Sequence, residues 1–138
     1  MGVGLNVDFD WYEIGSGTFL FSFFSTVAVN LEGGKWGSRF PVIMNKLYHG
    51  KIETNKVDKA IKEMEMIKSE LKNYPPSKVV WDIEDLSQQP PWGDEISEEI
   101  TDLSNYFITS DGEDLIEVFM LALNKAKEIK KPVEIDSM

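Results

Sequence analysis

"VGLNVDFDWYEIGSGTFLFSFFSTVAVNL", residues 3–31, is the stretch on which the fold turns. Its first half alternates. Val3, Leu5, Val7, Phe9 and Trp11 fall on one side, and Asn6, Asp8, Asp10 and Tyr12 on the other. A period of two marks a strand with one buried face, and Gly15-Ser16-Gly17 then ends it. In the second half the period changes. Leu20, Phe23, Phe24, Val27 and Leu31 recur at helical steps, behind Thr18 as a cap. The phenylalanines and valines of this run also suit a strand, so period and composition disagree over residues 18–31.

Working outward, Gly33-Gly34 closes that element and residues 35–40 form a loop. Pro41 is placed to open a short helix through Tyr48, with Gly50 just past its end. His49 sits in that last turn, where the helix dipole favours a donor, and no serine or aspartate constellation points to it. Residues 55–72 read as the clearest helix, with Val57, Ile61, Met64, Ile67 and Leu71 on one face and an Asp58–Lys62 pair on the other. Pro75-Pro76 stops it, and residues 78–83 alternate again as a strand with Val79, Trp81 and Ile83 together. Asp94 is placed to cap a short helix whose inner face is Ile96, Ile100 and Leu103. Residues 106–109 read as a strand. Ser110 and Glu113 form a capping box for a helix over residues 111–130, its core face Leu115, Phe119, Ala122, Ala126 and Ile129. Residues 132–135 read as a last, edge strand. The expected fold is α+β: one domain over residues 1–138, with a sheet of three or four strands packed against about four helices.

A chain of 138 residues can bury a core without a metal or disulfide staple. The absence of cysteine excludes a disulfide framework, thiolate catalysis and cysteine-based zinc sites. A single histidine leaves little for a transition metal to bind, so neither metal nor cofactor is expected. The first residues lack the basic start of a signal peptide, and Asn6 stands where a myristoylation motif wants serine or threonine. The most apolar run, residues 19–31, is too short to span a bilayer. A cytoplasmic protein is expected.

The net charge of −10 argues against nucleic acid, whose phosphates need a basic surface. Its distribution says more. Residues 1–78 hold ten bases against nine acids, and residues 125–138 hold four lysines against three acids. Residues 79–124 hold twelve acids and no base. The whole imbalance lies in that block, centred on "LSQQPPWGDEISEEITDLS", residues 86–104.

Within it, Asp82 and Glu84 share one face of the expected strand, and paired carboxylates can serve acid–base chemistry or hold Mg²⁺. No lysine follows until Lys125. Ser16 sits between glycines after a strand, but a nucleophile elbow needs a further glycine and a histidine partner. The acids read better as a surface. On a helix, Glu95, Glu98, Glu99 and Asp102 form one stripe beside Asp94. The N-terminal dipole accounts for Glu95 and Glu98. It does not account for Glu99 and Asp102, because like charges four apart repel by about 0.2–0.5 kcal/mol. The stripe is either a solvated face or a partner-facing one. Trp36 and Trp92 each precede a glycine in a loop, and each either plugs the core edge or stays out as a binding anchor. Pro90-Pro91 would hold Trp92 in place before a partner arrives. Trp11 and Trp81, on strands, are expected in the core.

The segments "DWYEIGSGTFL", "SFFSTVAVNLE", "KWGSRFPVIMNKLYHGKI", "VVWDIEDLSQQPPWG" and "ISEEITDLSNYFITSDGEDL" resemble the immunity protein 70 family of bacterial polymorphic toxin systems. The resemblance covers most of residues 7–120; residues 55–72 and the tail after Lys131 carry no matching motif. It implies a single-domain α+β protein, encoded beside a toxin, that binds the toxin and protects the producing cell by occluding the active site. It transfers no residue roles. Trp92, Asp94, Glu95, Glu98, Glu99, Asp102 and Trp36 are therefore partner-contact candidates on the residue reading alone. The expected partner is a basic toxin such as a nuclease, since complementary fields speed association by about 10–10³-fold. Two other classes stay open. One is a small enzyme or ligand-binding protein built on Asp82 and Glu84. The other is a homo-oligomeric structural subunit with an apolar patch from Phe19, Phe21 and Val29.

Overall fold

A computed structural model describes residues 2–137 of the chain. One layer is a four-stranded antiparallel sheet in the order β2-β1-β4-β3. β1 (Gly2–Val7) and β2 (Asp10–Ser16) form a hairpin, so the alternating run is not one strand but two. The chain reverses at Asp8-Phe9, with Val7 opposite Asp10 and Asp8 at φ 56°. Aspartate tolerates that left-handed backbone better than most residues.

The tight turn inverts the alternation, because residues paired across a hairpin lie on the same face of the sheet. β1 sends Val3, Leu5 and Val7 inward, whereas β2 sends Tyr12 and Ile14 inward. Trp11, expected in the core, lies instead on the outer face beside Glu13 and over Gly4, where a Cβ would come within 2.6 Å of the indole. Phe9, also expected inside, is left at the hairpin tip with 96% of its surface exposed.

α1 (Gly17–Leu31) is a helix, which settles the conflict over residues 18–31. Its cap is Ser16 rather than Thr18: Ser16 Oγ accepts from the Phe19 N–H at 3.1 Å. Leu20, Phe23, Phe24, Val27 and Leu31 are all buried. Phe23 meets Phe24, Phe107 and Phe119 with ring centroids 5.3–5.8 Å apart, an edge and tilted packing that adds to simple burial. Glu32, buried just after the helix, accepts from the N–H groups of Gly37, Arg39 and Phe40 at 3.0–3.1 Å and shapes the loop. Pro41 leads into a short, wide π-helix (Val42–Leu47). Its first N–H groups, on Val42 and Ile43, donate to the buried Glu63 carboxylate at 3.3 and 2.9 Å. Glu63 thus satisfies donors that a helix start leaves without partners.

β3 (Lys51–Ile52) is followed by α2 (Val57–Leu71), which buries Val57, Met64, Ile67 and Leu71 and half-buries Ile61. Asp58 pairs not with Lys62 but with Lys127 on the neighbouring helix at 3.0 Å. That helix, α3 (Leu115–Ile129), begins later than the Ser110–Glu113 box suggests. Asp114 is the cap, its Oδ1 accepting from the Ile116 N–H at 3.0 Å. β4 (Val133–Ser137) is not an edge strand: it lies between β1 and β3. α2 and α3 pack together, α3 against β1 and α1 against β2. The homo-oligomer patch does not form, because Phe19 is buried and Phe21 is covered by Trp36 and Tyr48 at 6.0 and 5.9 Å.

Candidate partner interface

Between α2 and α3, residues 72–114 contain one 3-10 turn (Pro76–Lys78) and one isolated bridge, Ile108 to Asp114. The strands expected at 78–83 and 106–109 and the helix expected at 94–103 do not form. Long irregular segments in compact domains are uncommon and usually functional. This one coincides with most of the base-free block.

Residues 78–83 pair with a helix rather than a strand. Asn30 Nδ2 donates to the Lys78 carbonyl at 2.9 Å. Ser22 Oγ and Thr26 Oγ1 donate to the Val80 carbonyl at 2.8 and 3.1 Å. Thr26 Oγ1 accepts from the Val80 N–H at 3.0 Å, and Ser25 Oγ accepts from the Ile83 N–H at 3.2 Å. Ser22, Ser25 and Thr26 are fully buried. Their hydroxyls supply the partners that a sheet ladder would have supplied. Asp82 and Glu84 therefore share no strand face. Asp82 Oδ1 accepts from the Glu84 N–H at 2.8 Å, and the pair closes a turn rather than a cavity.

Residues 94–103 fail to become a helix because short polar side chains take the backbone donors first. Ser97 Oγ accepts from the Glu99 N–H at 3.2 Å. Asn105 Oδ1 accepts from Thr101 and Asp102 at 3.1 and 3.2 Å. Asp102 Oδ1 accepts from the Ser104 N–H at 2.8 Å and from its hydroxyl, and Oδ2 accepts from Thr101 Oγ1 at 2.9 Å. Burial pushes the Asp102 carboxyl up, but the Ser104 and Thr101 bonds outweigh it and hold it below the ordinary value. The stripe thus divides. Asp94, Glu95, Glu98 and Glu99 are exposed along a chain of turns, while Asp102 is half-buried and occupied by the loop's own bonds.

The tryptophans divide too. Trp36 is half-buried, donates from Nε1 to the Met44 carbonyl at 2.8 Å and stacks on Phe21 at 6.0 Å. Trp92 keeps 37% of its surface exposed. It rides a turn in which the Gly93 N–H donates to the Pro90 carbonyl at 2.9 Å, Gly93 at φ 58°. Pro90 itself is buried. Trp92 Nε1 donates to Tyr106 Oη at 2.8 Å, and its ring stands edge-on to Trp81 at 5.4 Å. Two fixed contacts thus preset the exposed indole.

Trp92, Phe19, Ile96, Ile100, Tyr106 and Ile108 line a groove of about 320 Å³, with Glu95 on its rim. Ile108, 43% exposed, was not singled out from the sequence, where it reads as one residue of a strand. An apolar floor with a carboxylate at its edge can take an apolar side chain with a basic neighbour. Among the described residues no cluster of histidine and carboxylate groups is arranged to hold a metal. No helix among them is long and apolar enough to cross a membrane.

No curated protein and no solved structure matches the chain. A family model described as immunity protein 70 matches residues 5–135, which takes in the hairpin, the helices and the whole irregular segment. The match also covers residues 55–72, which carry none of the motifs of the resemblance. The chain belongs to the immunity protein 70 family.

Proposed function

We propose that the protein neutralises a cognate basic toxin, such as a nuclease, by seating residues 86–104 and the adjoining groove against it. An immunity function and a toxin partner follow from the family; the surface and the toxin's charge are our reading. The observation that carries it is the coincidence of two features. Most of the block with twelve acids and no base lies in the segment without regular structure, and residues 78–83 at its start are held by side-chain bonds to α1. A surface fixed in advance loses little freedom on binding, and its unbalanced field raises the encounter rate. Asp94, Glu95, Glu98 and Glu99 supply the field, and Trp92, Ile96 and Ile108 supply the apolar contact. Asp102, half-buried, holds this surface through its bonds to Thr101 and Ser104, whereas Trp36 packs on Phe21 and Tyr48 and is not part of the proposed contact. The protein acts in the cytoplasm of the producing cell and its siblings, occluding the toxin's active site.

The test is binding of the purified chain to the C-terminal toxin domain encoded beside its gene, at low and high salt. Tight binding with an association rate that falls steeply with salt is expected. Tight binding indifferent to salt refutes the acidic surface, and no binding at any salt refutes the reading as a whole.

A further inference from the structure

We infer that the β1–β2 hairpin tip is a second anchor for the same partner, with Phe9 entering an apolar pocket rimmed by lysine or arginine. The inference rests on the toxin-binding reading but on a different part of the molecule. Phe9 is 96% exposed, the most exposed of the large apolar side chains among the described residues. A single exposed apolar residue is ordinary on a protein surface. This one is set apart by its place on a tight turn, where the left-handed Asp8 (φ 56°) lifts it clear of the sheet.

The surroundings say what covers it. Asp8 and Asp10 flank the ring and are exposed. The outer sheet face behind it carries Trp11, hydrogen-bonded from Nε1 to Glu13 at 3.2 Å, with Glu134 and Asp136 on β4. Lys51, opposite Glu134, is ion-paired with Glu53 at 3.5 Å. The aromatic knob therefore stands in a negative field. A second copy of this chain is a poor occupant, since its own apolar groove is rimmed by Glu95 and two acidic rims would repel. A membrane surface is excluded by the same sign of charge. A basic protein with an apolar pocket is the complementary partner.

The test compares full-length wild type with Phe9→Ala against the same toxin domain, with Trp92→Ala in parallel. Nothing packs on a residue so exposed, so Phe9→Ala should leave the melting temperature unchanged. It should weaken toxin binding by about 30-fold, the level at which an interface residue counts as an anchor. Asp8→Asn with Asp10→Asn should slow association at low salt. If Phe9→Ala binds like wild type while Trp92→Ala binds weakly, the inference falls and the toxin reading survives. If wild type does not bind the toxin, both fall. If wild type sediments as a dimer that Phe9→Ala dissolves, the occupant is a second copy and the inference is overturned.

Discussion

Replacing Thr26 by valine tests whether α1 is what holds the acidic segment. The two side chains have nearly the same shape and the same β-branch, so helix propensity and packing change little. What is lost is the hydroxyl of a fully buried side chain, which donates to the Val80 carbonyl at 3.1 Å and accepts from the N–H of the half-buried Val80 at 3.0 Å. The carbonyl keeps Ser22 Oγ at 2.8 Å. The N–H loses its partner, and a buried donor left unsatisfied costs about 1–3 kcal/mol. With the net value of the second bond, the expected loss is about 2–3 kcal/mol. At about 2.1 cal/mol/K of unfolding entropy per residue, a chain of 138 residues converts that into a fall of about 7–10 °C in melting temperature. Thermal unfolding by circular dichroism reads the fall. Amide exchange should show lost protection at Val80 and Ile83. Ser22→Ala should cost less, about 1 kcal/mol, because the Val80 carbonyl keeps Thr26. A Thr26→Val fall under about 2 °C would refute the reasoning, because water would then serve the Val80 backbone as well as the helix does.

Three further outcomes are expected. Glu98→Lys with Glu99→Lys should slow toxin association about tenfold at low salt. The change should leave stability within about 0.5 kcal/mol, as both residues are exposed; equal on-rates at low salt would remove them from the interface. Trp92→Ala should act on the dissociation rate, raising it about 30-fold or more. A lower melting temperature with unchanged binding would make the indole a core plug over Trp81 and Tyr106. Burial raises the Glu63 carboxyl above its ordinary 4.5, against the pull of the Ile43 and Val42 N–H groups. The folded chain therefore keeps that proton to higher pH than the unfolded one. Its contribution to stability is full below 4.5 and is lost as pH rises through the raised value. Urea unfolding across that window should show a shallower decline for Glu63→Gln than for wild type, and parallel declines would place the proton elsewhere.

Much of the fold was legible wherever one periodicity ran uninterrupted. α2 and α3 each carry five apolar positions at helical spacing, and those positions face the core, with α3 starting at its Asp114 cap rather than at Ser110. The class α+β followed from such segments. The hairpin was legible only in part, because Asp8-Phe9-Asp10 continues the alternation of β1 while the turn inverts it. Tyr12 and Ile14 carry the opposite parity, and that shift is the signal in the sequence for the reversal. α1 held a second signal. Ser22, Ser25, Thr26 and Asn30 lie at i, i+3, i+4 and i+8, a polar stripe on an otherwise apolar helix. They look like interruptions until a segment is found for them to bind.

By itself the sequence determined the class, the helices α2 and α3, the cysteine-free chemistry and the confinement of negative charge to one block. These are local properties: side-chain period, composition and charge survive whatever the chain does elsewhere. Only the tertiary structure decided what that block becomes. Residues 78–83 have a strand's pattern, but the buried hydroxyls of α1 reached their backbone before any strand did. Residues 94–103 have a helix's apolar spacing, but Ser97, Asp102 and Asn105 took the donors a helix needs. A pattern states what a segment can form, and the nearest partners for its N–H and C=O groups decide what it does form, because a buried backbone group must be satisfied by whatever lies within reach.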